Sequence, residues 1–211
     1  MTVKSTNITR VQHRMARESR WAANSHSGGV LWLTGLSGSG KSTLAFEVEK
    51  RMFEEGYQVY VLDGDNIRHG LSSDLGFSPE DRVENIRRVG EIAALFADAG
   101  SVVVTAFISP YRRDRELARQ AASDQFHEVY LSAGLDVCEG RDPKGLYRKA
   151  RRGEIPEFTG VSAPYEAPEH PELTIDTGEL TVEESMQVLL EYVGRAFAGP
   201  GRTKARGALG G

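Results

Sequence analysis

Short apolar runs alternate with longer amphipathic segments along this chain, and that alternation sets the expected architecture. Val30 to Thr34, Gln58 to Leu62 and Val102 to Ala106 read as strands, and Glu128 to Leu131 and Leu173 to Ile175 as two shorter ones. After the first run, Leu44, Val48 and Met52 recur at helical spacing, and Gly56 supplies a stop. Ser78 ahead of Pro79 and Asp81 caps a longer helix whose apolar stripe is Val83, Ile86, Val89, Ala93 and Phe96. Thr181 with Glu184 makes a capping box for a last helix through Met186, Leu190 and Val193. No period repeats, so strands alternating with helices predict a three-layer α/β/α domain around a mainly parallel five-stranded sheet.

From Asp136 to Pro171 this pattern stops. Charged residues crowd its first half, Pro164, Pro168 and Pro171 punctuate its second, and no periodicity emerges. A long irregular stretch between two strands is expected to be a functional loop, here a lid over about residues 136–171.

Composition narrows the class. A length of 211 residues fits one domain with a core of its own, placed at residues 25–197 after an extension at 1–24. With 39% hydrophobic and 27% charged residues the chain is too apolar to be disordered. With 26 Lys and Arg against 30 Asp and Glu it is not a general nucleic-acid binder. Residues 198–211 combine glycine, Pro200 and three basic side chains with little to bury, which predicts a disordered tail. The lone cysteine, Cys138, allows no internal disulfide and is expected to serve packing in a reducing compartment. No run approaches the roughly 18 to 20 apolar residues of a membrane span, and the amino end lacks a signal-like stretch, so a cytoplasmic protein without a membrane partner is expected.

The strongest chemical signal is the run Gly35, Leu36, Ser37, Gly38, Ser39, Gly40, Lys41 and Ser42, followed by Thr43. It satisfies the P-loop pattern and lies between a predicted strand and a predicted helix, where that motif works. Glycines let the backbone fold around phosphate so that successive N–H groups and the helix terminus face the anion. Lys41 is then expected to reach the β- and γ-phosphates of ATP, and the Ser42 hydroxyl to hold Mg²⁺.

A P-loop identifies the donor and leaves the acceptor open. The strand Val102 to Ala106 runs into Phe107 and Ser109, not into an acid, so the acidic partner must come from elsewhere. Asp63 and Asp65, at the end of the neighbouring strand, are the candidates for holding the metal's water shell and for taking a proton from an attacking hydroxyl. Arg68 and Arg82 offer planar forks to an anionic acceptor, Phe77 a stacking face, and Asn85 shares a helix face with Arg82. Arg87 and Arg88 read as an ordinary solvated face, and His69 has no partner at metal-ligand spacing. In the lid, one or two of Arg141, Lys144, Arg148, Lys149, Arg151 and Arg152 are expected to close on the phosphates, and Phe158 to cover a ligand.

The segments GLSGSGKST, DGDNIRHGLSSDLGFSPEDRVENIRRVGEIA, FISPYRRDR, CEGRDPKGLYRKARRGEIPEFTG and YEAPEHPEL, in that order, closely resemble the adenylylsulfate kinase family over roughly Trp21 to Val193. The resemblance implies Mg²⁺- and ATP-dependent phosphorylation of the 3′-hydroxyl of adenosine 5′-phosphosulfate, giving 3′-phosphoadenylyl sulfate and ADP. It implies Phe77 and Phe158 as a pair around the acceptor's adenine, and Arg68, Arg82 and Asn85 as its phosphosulfate and ribose contacts. It further implies a backbone contact from Ile108, Lys144 over the phosphates, Arg141 near the ATP adenine, and Ser109 as the family's active-site phosphoserine. Ser109 equally fits a structural role, a hydroxyl satisfying the loop before Pro110. A homodimer, and association with a sulfate adenylyltransferase, also follow from the resemblance. The chain departs from the family at Ser162, where an acid is expected, and after Phe197. A P-loop kinase for another small acceptor and a nucleotide-binding regulatory module without turnover are the competing readings.

Overall fold

The computed structural model describes residues 6–9, 11 and 13–199. In chain order its elements begin α1 (Arg17–Asn24), β1 (Gly29–Thr34), α2 (Lys41–Glu54), β2 (Val59–Asp63), α3 (Gly64–Arg68) and α4 (Pro79–Asp98). They continue β3 (Val102–Ala106), α5 (Arg112–Ala122), β4 (Phe126–Leu131), α6 (Leu135–Arg141), α7 (Leu146–Arg151), β5 (Leu173–Ile175) and α8 (Val182–Ala196).

The five strands form one parallel sheet in the order β2-β3-β1-β4-β5. Both faces of the sheet are covered, which is why β1 is buried along its whole length instead of alternating. Leu31, Leu33, Val104 and Val129 pack against Leu44, Val48 and Met52 of α2 and Leu189 and Val193 of α8. On the other face Val30, Trp32 and Val103 meet Ile86, Val89 and Ala93 of α4 and Ala118 of α5. There α4 and α5 approach so closely that a Cβ on Gly90 would lie 2.8 Å from the Ala118 Cα.

Local signals account for the helices that the sequence announces. The Ser78 side chain accepts from the Asp81 N–H with Pro79 in the first turn, and the Thr181–Glu184 capping box is closed in both directions. Five helices lie outside the predicted pattern, α1 and the short α3 as well as α5, α6 and α7. In α5 the buried residues are Asp114, Arg115, Ala118 and Ala122, so its inward face carries no large apolar stripe. The lid, expected to be irregular, contains α6 and α7, each too short to show a period. Asp142 organises the second of them by accepting from the N–H groups of Tyr147 at 3.0 Å and Arg148 at 3.2 Å. Cys138 is free and buried, as expected for packing.

The extension before residue 25 contributes α1, which docks at its start through Arg17 on Asp124 at 3.0 and 2.9 Å and at its end through the Asn24 amide on Gly100 O at 3.0 Å. At the other end Ala198 bridges His26, while residues 200–211 of the expected tail lie outside the described residues. Among the described residues no helix is long and apolar enough to cross a membrane.

The register brings the functional segments together. Asp63 and Leu33 both pair with Ala106, Thr34 pairs with Tyr130, and Leu131 pairs with Ile175. All five strands therefore deliver their following loops to one edge of the sheet, around the crevice where open α/β sheets bind ligands.

Candidate active site

β1 runs straight into the P-loop, and α2 begins at Lys41. Gly38 has φ +79°, and a Cβ there would lie 2.8 Å from Cys138 O, so both the backbone conformation and the closeness of α6 require glycine. The Lys41 ammonium is buried and donates to Gly35 O at 3.0 Å and Leu36 O at 2.7 Å. Burial brings its pKa down to about 8, against the pull of the Asp63 carboxylate. The remaining loop carbonyls are held from the lid side. Tyr147 donates its hydroxyl to Ser37 O at 2.9 Å, Arg141 donates to Gly38 O at 3.3 Å and to Thr177 O, and Thr177 Oγ1 donates to Ser39 O at 2.8 Å.

The two acids after β2 divide their work. Asp63 is nearly buried; its Oδ2 accepts from Ser42 Oγ at 2.7 Å and its Oδ1 from the Asp65 N–H at 3.0 Å, which caps α3. Asp65 is exposed and pairs with Lys144 of the lid. Sequence reasoning grouped Asp63 and Asp65 together, whereas the fold points one at the P-loop and the other at the lid.

Arg68, Phe77 and Arg82 form one cluster beside α3 and the start of α4. The Arg68 guanidinium lies 4.3 Å from the centre of the Phe77 ring and donates to Gly76 O at 2.8 Å. Burial, and then the charge of Arg82, act against its charged form, a strain that an anion would relieve. Arg82 donates to Phe77 O at 2.9 Å through Nε and to Glu157 O at 3.0 Å through Nη2. Phe77 itself is 70% exposed, as a stacking face must be. Asn85 is 3% exposed, and its buried Oδ1 has no hydrogen-bond partner among the described residues. Arg87 and Arg88 both pair with Glu84, at 2.7 and 2.9 Å, and instead of a free solvated face Arg88 also braces the preceding loop through Asp74 at 2.6 Å and Leu71 O at 3.0 Å.

The lid differs from expectation at Phe158. Expected to cover a ligand, this ring is only 7% exposed and packs edge-on to Tyr147 at 5.1 Å, in a small core with Cys138 and Ala150 that Leu36 of the P-loop joins. An aromatic in a polar stretch looked free because its partners, Tyr147 and Leu36, lie in other segments. Arg82 nevertheless joins the two aromatic segments, since it holds Phe77 O and the carbonyl of Glu157 next to Phe158. Of the lid cations, Lys144 and Arg141 reach the cleft residues. Arg151 pairs with Glu139 at 2.7 Å and Arg152 with Glu154 at 2.6 Å on the outside.

Ile108 and Ser109 sit over β1. Thr34 Oγ1 donates to Ile108 O at 2.7 Å, and its remaining contacts are Ser109 Oγ at 3.1 Å and the Tyr165 hydroxyl at 3.0 Å. Since the Thr34 proton is spent on Ile108, Tyr165 is the donor to it, and burial raises the pKa of that phenol. Ser109 is 2% exposed, has φ +38°, and accepts from the Trp32 indole at 3.1 Å. Arg115 fixes the same loop by donating to Ser109 O at 2.7 Å and to Glu166 O at 2.8 Å, while pairing with buried Glu128 at 2.6 Å. The phosphoserine expectation for Ser109 therefore meets a buried hydroxyl already committed to two neighbours, the arrangement of the structural alternative.

A family model described as adenylylsulphate kinase matches residues 27–176. The chain belongs to the adenylylsulphate kinase family. Among adenylyl-sulfate kinases, that of Bacillus pumilus is 61% identical over 171 residues, covering 81% of this chain and 87% of its own length. That of Staphylococcus epidermidis is 56% identical over 191 residues, 90% of this chain and 96% of its own. The structure of the Mycobacterium tuberculosis APS kinase CysC in complex with AMPPNP and APS is 48% identical, with a TM-score of 0.75 over 78% of this chain and 96% of that one. A gluconokinase from Sinorhizobium meliloti, at 20% identity and a TM-score of 0.51, shares the fold alone.

As an adenylylsulphate kinase the chain is an ATP-dependent kinase. Thr34, Tyr165, Arg115, Tyr147 and Thr177 all touch functional loops, yet sequence reasoning passed over them. Thr34 carried a faint signal, a polar residue ending an apolar strand directly before the P-loop. Arg115 carried none, because in a charged helix it looks like solvated surface.

Proposed function

We propose that this chain transfers the γ-phosphoryl group of ATP to the 3′-hydroxyl of adenosine 5′-phosphosulfate, giving 3′-phosphoadenylyl sulfate and ADP. The observation that carries the reading is the Ser42–Asp63 contact of 2.7 Å, which brings the P-loop hydroxyl and the strand-end carboxylate to one point in the cleft. The family assignment, and the binding of AMPPNP and APS by the M. tuberculosis relative, support the choice of donor and acceptor.

In this reading the P-loop amides and Lys41 hold the donor's phosphates. Arg141 and Lys144 close from the lid, Lys144 beside Asp65. Arg68, Arg82 and Asn85 hold the acceptor's anionic and ribose groups, Phe77 stacks on its adenine, and Ile108 meets it through its backbone. Asp63 orients the 3′-hydroxyl and takes its proton as the new O–P bond forms and the bond to the ADP oxygen breaks. Positioning both substrates in line is sufficient for transfer, so no phosphoryl group needs to pass through Ser109.

Mg²⁺ fits Ser42 and Asp63, a hydroxyl and a carboxylate that are hard oxygen donors. Among the described residues no group of three or more His, Cys, Asp or Glu forms a cage for a metal. That suits a cation whose other ligands are nucleotide phosphates and water. Held by these two oxygens, Mg²⁺ would supply neutralisation of charge on the transferring group.

The reading places the kinase domain at residues 25–197, with the lid over about 136–171. A homodimer, association with a sulfate adenylyltransferase and a cytoplasmic location go with it.

The test is ADP release from Mg-ATP with adenosine 5′-phosphosulfate, AMP, adenosine or no acceptor, with the product weighed by mass spectrometry. Strong dependence on the sulfated acceptor, with one phosphate added to it, is the expected result. Equal slow release in every tube would overturn it and leave a P-loop ATPase or a binding module.

A further inference from the structure

Every carbonyl from Gly35 to Gly40 accepts a hydrogen bond. Lys41 serves Gly35 and Leu36, the Leu44 N–H serves Gly40, and Tyr147, Arg141 and Thr177 serve Ser37, Gly38 and Ser39. The last three donors come from α7, from α6 and from the turn after β5, so they reach the loop from outside its own strand and helix. None of them is part of the phosphate-binding motif.

A trans peptide is planar, so a carbonyl and the N–H of the following residue point in opposite directions. The described residues contain no cis peptide bond. Tyr147 on Ser37 O thus turns the Gly38 N–H away from the lid side, and Thr177 on Ser39 O does the same for the Gly40 N–H. The intervening Ser39 N–H closes a turn onto Leu36 O at 3.1 Å, and Arg141 holds the carbonyl of its peptide plane. A loop whose carbonyls were free would turn some of them toward the phosphates, where they repel.

We propose that Tyr147 and Thr177 are positioning residues of the phosphate cradle. By holding the Ser37 and Ser39 carbonyls outward, they aim the Gly38 and Gly40 N–H groups at the donor's phosphates. This rests on the nucleotide-site reading above and extends it to regulation of that site by the lid. Because Tyr147 lies in the lid, the coupling is reciprocal: a docked lid tightens phosphate binding, and bound phosphate favours the docked lid.

Two variants of the full chain test it. Tyr147→Phe keeps the ring against Phe158 and removes only the hydroxyl; Thr177→Val keeps the shape and removes the donor. Binding of ADP and AMP is measured by titration calorimetry with Mg²⁺ present, alongside the KM values for ATP and for adenosine 5′-phosphosulfate and the melting temperature. The expected result is ADP affinity weakened roughly three- to tenfold in each variant. AMP, which lacks the β-phosphate, should change less, and the KM for ATP should rise while that for the acceptor stays put. ADP affinity within twofold of the parent in both variants overturns the proposal. So does equal weakening of ADP and AMP together with a lower melting temperature, the mark of packing alone. If Tyr147→Phe fails to fold, Thr177→Val decides. A parent protein that binds no ADP refutes the nucleotide-site reading itself, whereas a binding parent with unaffected variants refutes only the positioning role.

Discussion

Ser42 Oγ donates to Asp63 Oδ2 at 2.7 Å, joining the first turn of α2 to the end of β2. The two residues are 21 positions apart, one after β1 and the other at the end of β2, and those strands are not neighbours in the sheet, since β3 lies between them. Parallel register makes the meeting possible: Leu33 and Asp63 are both level with Ala106, so the P-loop and the acid leave the sheet at the same height. Asp63 thereby stands beside the P-loop as an acid, although β3, which ends at Ala106, leads into Phe107.

Asp63→Asn preserves size but removes the negative charge and the ability to take a proton. Turnover should fall by roughly 10²–10⁴-fold, the range of a lost general base. ADP affinity should change little, because the P-loop amides and Lys41 remain. Steady-state kinetics beside calorimetric titration separate the two effects. Near-normal turnover would move the base and metal roles elsewhere.

Lys41 gives a pH dependence of definite sign. Burial lowers its pKa to about 8, and only the protonated ammonium attracts phosphate. In the free enzyme the charge is therefore full well below pH 8 and is lost as pH rises through that value. The expected profile of kcat/KM for ATP falls above about pH 8, because this ratio reports the free enzyme. Bound phosphate favours the charged form, so kcat should hold to higher pH. Parallel declines in kcat and kcat/KM would assign the titration to another group.

The sheet and the capped helices were legible because their signals are local. β5 at Leu173–Ile175 and the start of α4 after Ser78 follow from the residues in those few positions alone. α5 was not legible, because its buried face is made of two alanines, Asp114 and Arg115, whose partner Glu128 lies on β4. The same division holds in the site. The P-loop is contiguous and could be read directly, whereas Tyr147 meets Ser37 across 110 positions and Tyr165 meets Thr34 across 131. Phe158 shows the cost of reading locally, since its polar neighbours in sequence conceal an apolar pocket built by the rest of the lid.

Arg82 should be specific to the acceptor. One planar fork holds Phe77 O and Glu157 O, and so joins the stacking segment to the lid. Arg82→Ala removes that brace together with a positive charge beside Arg68. The KM for adenosine 5′-phosphosulfate should rise roughly tenfold or more, as for hydrogen bonds involving a charged group. The KM for ATP should stay close to that of the parent. Arg82→Lys should not rescue, because a single ammonium does not reproduce the planar fork that serves both carbonyls. Equal increases in both KM values would instead indicate a general loosening of the lid.

Ser109→Ala separates a covalent relay from a scaffold. The hydroxyl is buried between the Trp32 indole and Thr34 Oγ1, at 3.1 Å from each, and Arg115 holds the carbonyl of the same residue. Removing it leaves the Trp32 N–H without its acceptor inside a sheet face stacked with Phe107 and Phe126, a loss of roughly 1–3 kcal/mol. The melting temperature should therefore drop by several degrees. Turnover should fall by less than about tenfold, because Asp63, Lys41 and the Arg68–Arg82 pair are untouched and in-line transfer needs no enzyme phosphate. A relay predicts the reverse, with stability near normal and turnover lost by orders of magnitude. Melting curves and kinetics on the one variant therefore distinguish the two, and mass spectrometry of the parent after incubation with ATP adds an independent check for a phosphorylated serine.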